Sequence, residues 1–156
     1  MKLFFPEVFD NTIRFKKIFL YLFILITAVT LGRSLIHVFA PDGGANSIAT
    51  IIVFIGNPDP NQVIYFVFSL WGLSQLIIAI LYVISLIKYR SMIPLFYVLI
   101  WFEYLFRILI GRVLKPMTDN VLSGTAPGEI GNYAFAVLIP ILLIWMILDE
   151  RKHRIS

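Results

Sequence analysis

No cysteine occurs in the 156 residues. That excludes disulfides, thiolate nucleophiles and cysteine-held zinc or iron–sulfur centres, while leaving the redox compartment open. Charge is nearly as scarce, at 14% of residues against 60% hydrophobic ones. The only histidines are His37 and His153. A haem or zinc site would want a second histidine in the span region, whereas His153 is expected on the C-terminal tail, so no metal is expected. Neither a P-loop nor a dinucleotide fingerprint is matched, and no Ser/His/Asp arrangement, paired-carboxylate site or metal-ligand spacing can be identified.

What is present is hydrocarbon. Ile18–Gly32, Pro60–Ile87 and Ile130–Leu148 carry no formal charge, and the last two are each about the 20 residues needed to cross a bilayer core. Mean hydropathy is +0.90. A soluble chain of this size could not hide so much apolar surface within itself. The sequence therefore predicts an all-α membrane protein, one four-transmembrane-helix bundle over residues 1–156, embedded in a lipid bilayer. The expected spans are 17–38, 61–87, 91–114 and 130–149, separated by Pro41-Asp42-Gly43-Gly44, "GNPDP", the Lys88–Arg90 turn and the turn-rich "SGTAPGEIGN". Pro140 falls inside the fourth span and is expected to kink it, with neighbouring helices serving the freed backbone. The first apolar run continues past signal-peptide length into "GRSLIH", which fits a retained helix.

Asn46–Ile55 is apolar but bounded by glycine and proline. It is too short to cross, so a short interfacial or re-entrant segment in the first external loop is expected, capped by Asn46 or Ser47 if helical. With four spans, Lys2, Arg14, Lys16, Lys17, Lys88, Arg90, Arg151, Lys152 and Arg154 share one side, and Lys115, with Arg112 at its border, is on the other. The bias of basic residues predicts both termini in the cytoplasm. It also assigns the net charge of +4 to membrane topology, with no nucleic-acid partner.

Ionisable residues at membrane depth are expensive and should face the bundle interior. Glu103 falls near the middle of the third span, with Arg107 one turn further out (about 6 Å at 1.5 Å per residue) and on the same face, an order that suits an intrahelical pair. Arg33 and His37, again four apart, lie in the outer half of the first span, and Arg112 lies near the outer surface. Gln75 and Ser74 sit near mid-membrane in the second span as hydrogen-bonding groups, while Trp71 and Trp101 read as packing. Two readings stay open. In one, Glu103 neutralises an arginine and the network only locks helices 1 and 3 together. In the other, Arg33, His37, Glu103, Arg107, Arg112 and Gln75 form an outward-facing cationic pocket for an anionic or polar ligand, since the arginines outnumber the single deep acid.

The segments "HVFAPDGGANSIATI", "LWGLSQLI", "YRSMIPLFYVLIWFEYLFRILIGR" and "SGTAPGEIGNY" together resemble small bacterial four-helix membrane proteins of unassigned function, over most of residues 30–140. The architecture is loosely similar to the DoxX-type group, some members of which are associated with quinone-linked oxidation. The resemblance implies a bacterial cytoplasmic (inner) membrane. For function, the expectation is a non-enzymatic accessory subunit or ligand-binding bundle, alone, with other membrane subunits or as a homo-oligomer. The alternative is a membrane enzyme or redox partner acting on a quinone or lipid in the outer leaflet; the ligand would then be a quinone or an anionic lipid.

Overall fold

A computed structural model describes residues 3–155; the side chains of Asp119 and of residues 152–155 are not described. Lys2, Lys152 and Arg154, used above for topology, and His153 therefore lie outside the described residues or side chains. Helix α1 is Lys17–Phe39, α2 Asn61–Lys88, α3 Ile93–Leu109 and α4 Pro127–Ile155. Counting the turns that flank α3, these give four candidate spans with peak mean hydropathies of 2.0, 2.2, 1.8 and 2.2. The chain is an all-α four-helix bundle.

The boundaries follow local chemistry. Helix α1 stops where Ala40 turns extended ahead of Pro41, a residue that cannot continue the ladder. Helix α2 stops at Tyr89, and Arg90–Met92 forms a 3-10 turn leading straight into α3. The fourth helix begins three residues earlier than expected, because Pro127 takes its first position, where a missing N–H costs nothing. It also runs on past residue 149 to Ile155. The third span was expected to be one regular helix. Instead Ile110–Leu114 widens into a π turn, closed by the Lys115 N–H on the Ile110 carbonyl at 2.7 Å.

Helix α1 packs along α2, and α3 along α4. Small residues are buried on both helices of the first pair, Thr27, Thr30 and Ser34 on α1 and Gly72 and Ala79 on α2. Each of those hydroxyls donates to the carbonyl four residues back, at 2.6–2.8 Å, so none is left unpaired in an apolar interface. A Cβ on Gly72 would stand 2.6 Å from the His37 Cβ, so only glycine fits there.

All four helices meet at the end of the bundle that holds the termini. Phe19, Phe23, Tyr82, Phe96, Tyr97, Ile100, Ile139 and Met146 form one buried cluster, and the Tyr97 hydroxyl donates to the Phe19 carbonyl at 2.8 Å. Residues ahead of α1 fold over this end: Ser91 and Asp10 exchange hydrogen bonds, and Leu3 is buried. Lys16 pairs with Asp149 of α4 at 2.7 Å. Many mid-span side chains point away from the bundle and are apolar, among them Leu25, Leu73, Leu99 and Ile141, which suits hydrocarbon contact.

At Pro140 the ring removes the N–H that would have served the Ala136 carbonyl. Trp101 of α3 donates its indole Nε1–H to that carbonyl at 3.1 Å. Trp101 therefore packs, as expected, and also repairs the neighbouring helix.

The opposite end is built by two connections, residues 40–60 and 115–126. Asn46–Ile55 is neither helix nor span but a chain of turns ending in an isolated antiparallel bridge, Ile51 with Leu122. Its organiser is Asp42, not Asn46 or Ser47. The Asp42 carboxylate accepts the backbone N–H groups of Gly44, Asn46 and Ser47 at 2.7–3.0 Å. Asn46 instead spends its amide on the Ile51 carbonyl at 2.8 Å. Glycine is required at position 44, where φ is +76° and a Cβ would meet the His37 ring. The second connection is tied to the first at Thr50. Its carbonyl accepts the Ser123 N–H at 2.7 Å and its hydroxyl donates to the Gly124 carbonyl at 2.7 Å.

Candidate functional site

Between the helix pairs, on the side of these two connections, lies a cavity of about 1040 Å3. Its walls come from α1 (Val29, Arg33, His37), α2 (Val67, Phe68, Trp71), α3 (Tyr104, Arg107, Ile108) and the start of α4 (Asn132, Tyr133, Phe135). Ile48, Ala49, Thr50 and Leu122 line its loop end, so the bridged connections form a roof.

Arginines and one ring dominate the polar wall. Arg33 Nη2 donates to Gln75 Oε1 at 3.1 Å, and Arg107 Nη2 donates to the same oxygen at 3.3 Å. Arg107 also donates to Glu103 Oε1, from Nε at 3.1 Å and from Nη2 in an ion pair. Both guanidiniums lie over Trp71, with Cζ 5.5 Å and 5.1 Å from the ring centroid, and Arg107 lies 5.4 Å from the Tyr104 centroid as well. Such placements partly replace hydration lost on leaving water. Arg33 is six residues, about 9 Å, from the end of α1 by helical rise.

Two polar atoms in this wall are buried without a hydrogen-bond partner among the described residues: Arg33 Nε and Asn132 Oδ1. Unpaired buried groups are rare and costly. Here one is a donor and the other an acceptor, and both residues line the cavity.

His37 is 2% exposed. Its Nδ1 faces the Gly43 carbonyl at 2.7 Å; since a carbonyl only accepts, Nδ1 carries the proton. Its ring lies 4.7 Å from Trp71, so it braces the tryptophan and the Gly43–Gly44 turn together. Arg112 leaves the π turn and reaches α4, pairing with Glu129 and donating to the Tyr133 hydroxyl at 2.9 Å. This joins α3 to α4 at the rim.

The residues singled out from sequence thus converge, with a different scaffold. The expected site lay between helices 1 and 3 with Gln75 of helix 2 included; in the structure Gln75 bonds both arginines without being part of the cavity lining, and α2 lines the cavity through Trp71. Glu103 is close behind Arg107 but is not part of the cavity lining. Ser74, expected to bond between helices, donates to Leu70 of its own helix at 3.2 Å and is exposed. Trp71, Tyr104 and Asn132 were missed. Trp71 could have been found, since it precedes Gln75 by four residues and must share its face. Asn132 carried no such signal, because its role depends on the unforeseen early start of α4.

Compared with family models, with curated proteins and with solved structures, the chain has no match.

Proposed function

We propose that this protein is a non-enzymatic, ligand-binding bundle of a bacterial cytoplasmic membrane, whose cavity takes an anionic amphiphile from the outer leaflet. Orientation rests on the basic residues at the end holding the termini, among them Arg14, Lys16, Lys17, Lys88 and Arg90, which favour the cytoplasmic face. The observation that carries the reading is the charge of the cavity wall: among the described residues, Arg33 and Arg107 are balanced by Glu103 alone, and Arg33 keeps a buried, unpaired donor. A network serving only to lock helices would gain nothing from leaving that nitrogen unpaired. An anionic oxygen would satisfy it and cancel the surplus.

Purification in mild detergent, followed by native mass spectrometry and an absorption spectrum, tests this. One anionic lipid should remain per chain, and Arg33→Gln should release it while circular dichroism stays helical. A stoichiometric quinone would replace this reading with the redox one. Retention of the lipid by the Arg33→Gln variant would remove the cavity from the account. Topology is checked by adding single cysteines to this cysteine-free chain. A cysteine replacing Lys115 should react with an external thiol reagent, and one replacing Ser156 should not.

A further inference from the structure

Resting on that reading, we infer that the ligand is a lipid whose head group is a phosphodiester with one negative charge and a free hydroxyl. The charge follows from the site. Arg33 and Arg107 contribute two positive charges and Glu103 one negative, and the Arg112–Glu129 pair at the rim is internally balanced. One positive charge remains, and in a wall only partly accessible to water a single anion compensates it best; a second negative charge would again lack a partner. A phosphodiester carries one charge, whereas a phosphomonoester carries about 1.5 to 2 at neutral pH.

The hydroxyl follows from Asn132. Its buried Oδ1 accepts from nothing among the described residues, and a phosphate oxygen cannot serve it, since both are acceptors. A head group that binds Arg33 Nε through phosphate and Asn132 through an alcohol pairs both orphaned atoms at once.

The lipid part follows from the neighbouring surface. A groove of about 370 Å3, bounded by Phe54, Val63 and Ile64, shares Val67, Phe68 and Met117 with the cavity, and its exposed lining is entirely apolar. A molecule seated on the arginines can lay a hydrocarbon chain there, which a water-soluble phosphodiester has no means to exploit.

The test uses the full-length protein, stripped of lipid and placed in phosphatidylcholine nanodiscs doped with one competitor at a time. The competitors are dioleoyl phosphatidylglycerol (one charge, hydroxyls), phosphatidylethanol (one charge, no hydroxyl), phosphatidic acid (the larger charge) and soluble glycerophosphoglycerol. Binding is read by native mass spectrometry. Phosphatidylglycerol should exceed phosphatidylethanol and phosphatidic acid by about tenfold each, near the 1.4 kcal/mol per decade that one good hydrogen bond supplies. The soluble head group should not compete. Asn132→Leu should erase the preference for phosphatidylglycerol over phosphatidylethanol. Preference for phosphatidic acid, an unchanged preference in Asn132→Leu, or competition by the soluble head group would overturn this assignment. If all anionic lipids bind alike, the head-group inference fails and the anionic-amphiphile function stands; if none binds above phosphatidylcholine, that function fails too.

Discussion

Arg33 and Arg107, from helices α1 and α3, share one acceptor: both donate to Gln75 Oε1, at 3.1 and 3.3 Å. A neutral oxygen thus holds two like charges side by side, which stores repulsion that an anion relieves. Gln75→Glu places a carboxylate at the same point and balances the wall without a ligand. This variant should unfold at a higher temperature in detergent than the parent and should lose its co-purified anionic lipid. Retention of lipid by Gln75→Glu would contradict the charge argument.

Glu103→Gln pulls the two properties in opposite directions. It removes the carboxylate paired with Arg107, so stability should fall. Both side chains are partly accessible, 18% for Arg107 and 27% for Glu103, so the loss should be about 1–2 kcal/mol, below the roughly 3–5 kcal/mol of a fully buried broken pair. The wall's surplus rises at the same time, so anionic lipid should be held more tightly. Thermal unfolding and lipid competition on the same preparation read both effects.

Trp101 and Pro140 should be energetically coupled. Trp101→Phe keeps most of the ring but strands the Ala136 carbonyl, a loss of about 1–3 kcal/mol. In the Pro140→Ala background the restored backbone N–H serves that carbonyl, and Trp101→Phe should cost little. A double-mutant cycle measures the coupling; additivity would show that the indole bond carries no weight.

The roof should weaken in acid through Asp42. Partial burial works against its charge, but the N–H groups of Ser47 and Gly44, the Ser47 hydroxyl and the Asn46 N–H outweigh it and hold the carboxyl below its ordinary value of 3.8. A lowered folded value means the contribution is complete above pH 3.8 and fades as pH falls through the folded value. Hydrogen exchange at Gly44, Asn46 and Ser47 should therefore be flat above pH 5, after correction for intrinsic rates, and lose protection below 3.8. Asp42→Asn should remove that pH dependence.

The number of helices and the limits of the first two were readable because long charge-free runs and proline–glycine breaks are strong one-dimensional signals, and spans 1 and 2 were placed to within one residue. So were the Glu103–Arg107 pair and the shared depth of Arg33 and His37, which follow from helical spacing. The π turn at Ile110–Leu114 was not, since nothing in "IGRVL" opposes an ordinary helix. Nor was the place of α2 in the cavity wall: spacing fixes which residues share a face, while which helix that face meets depends on packing between Gly72 and His37. The 46–55 segment read as apolar and short, which was enough to deny it a span, but its turns are set by Asp42 and by pairing with residues 121–124, far along the chain.

The pairing of helices also bears on how the chain could be made. Arg33 finds Gln75 within the first two helices, and Arg107 finds Glu103 within its own helix, with Arg112 and Glu129 joining the last two. Each half thus brings its arginines into the bilayer with a hydrogen-bond partner from its own helix pair, in the order in which a ribosome would deliver them, although the charge of Arg33 is not neutralised there. The bond from Arg107 to Gln75, its contact with Trp71, the Lys16–Asp149 and Ser91–Asp10 ties, the bridged roof and the apolar cluster at the termini wait for both halves to meet. Biogenesis in two separately insertable hairpins follows, and co-expressed halves split between residues 88 and 90 should reassemble.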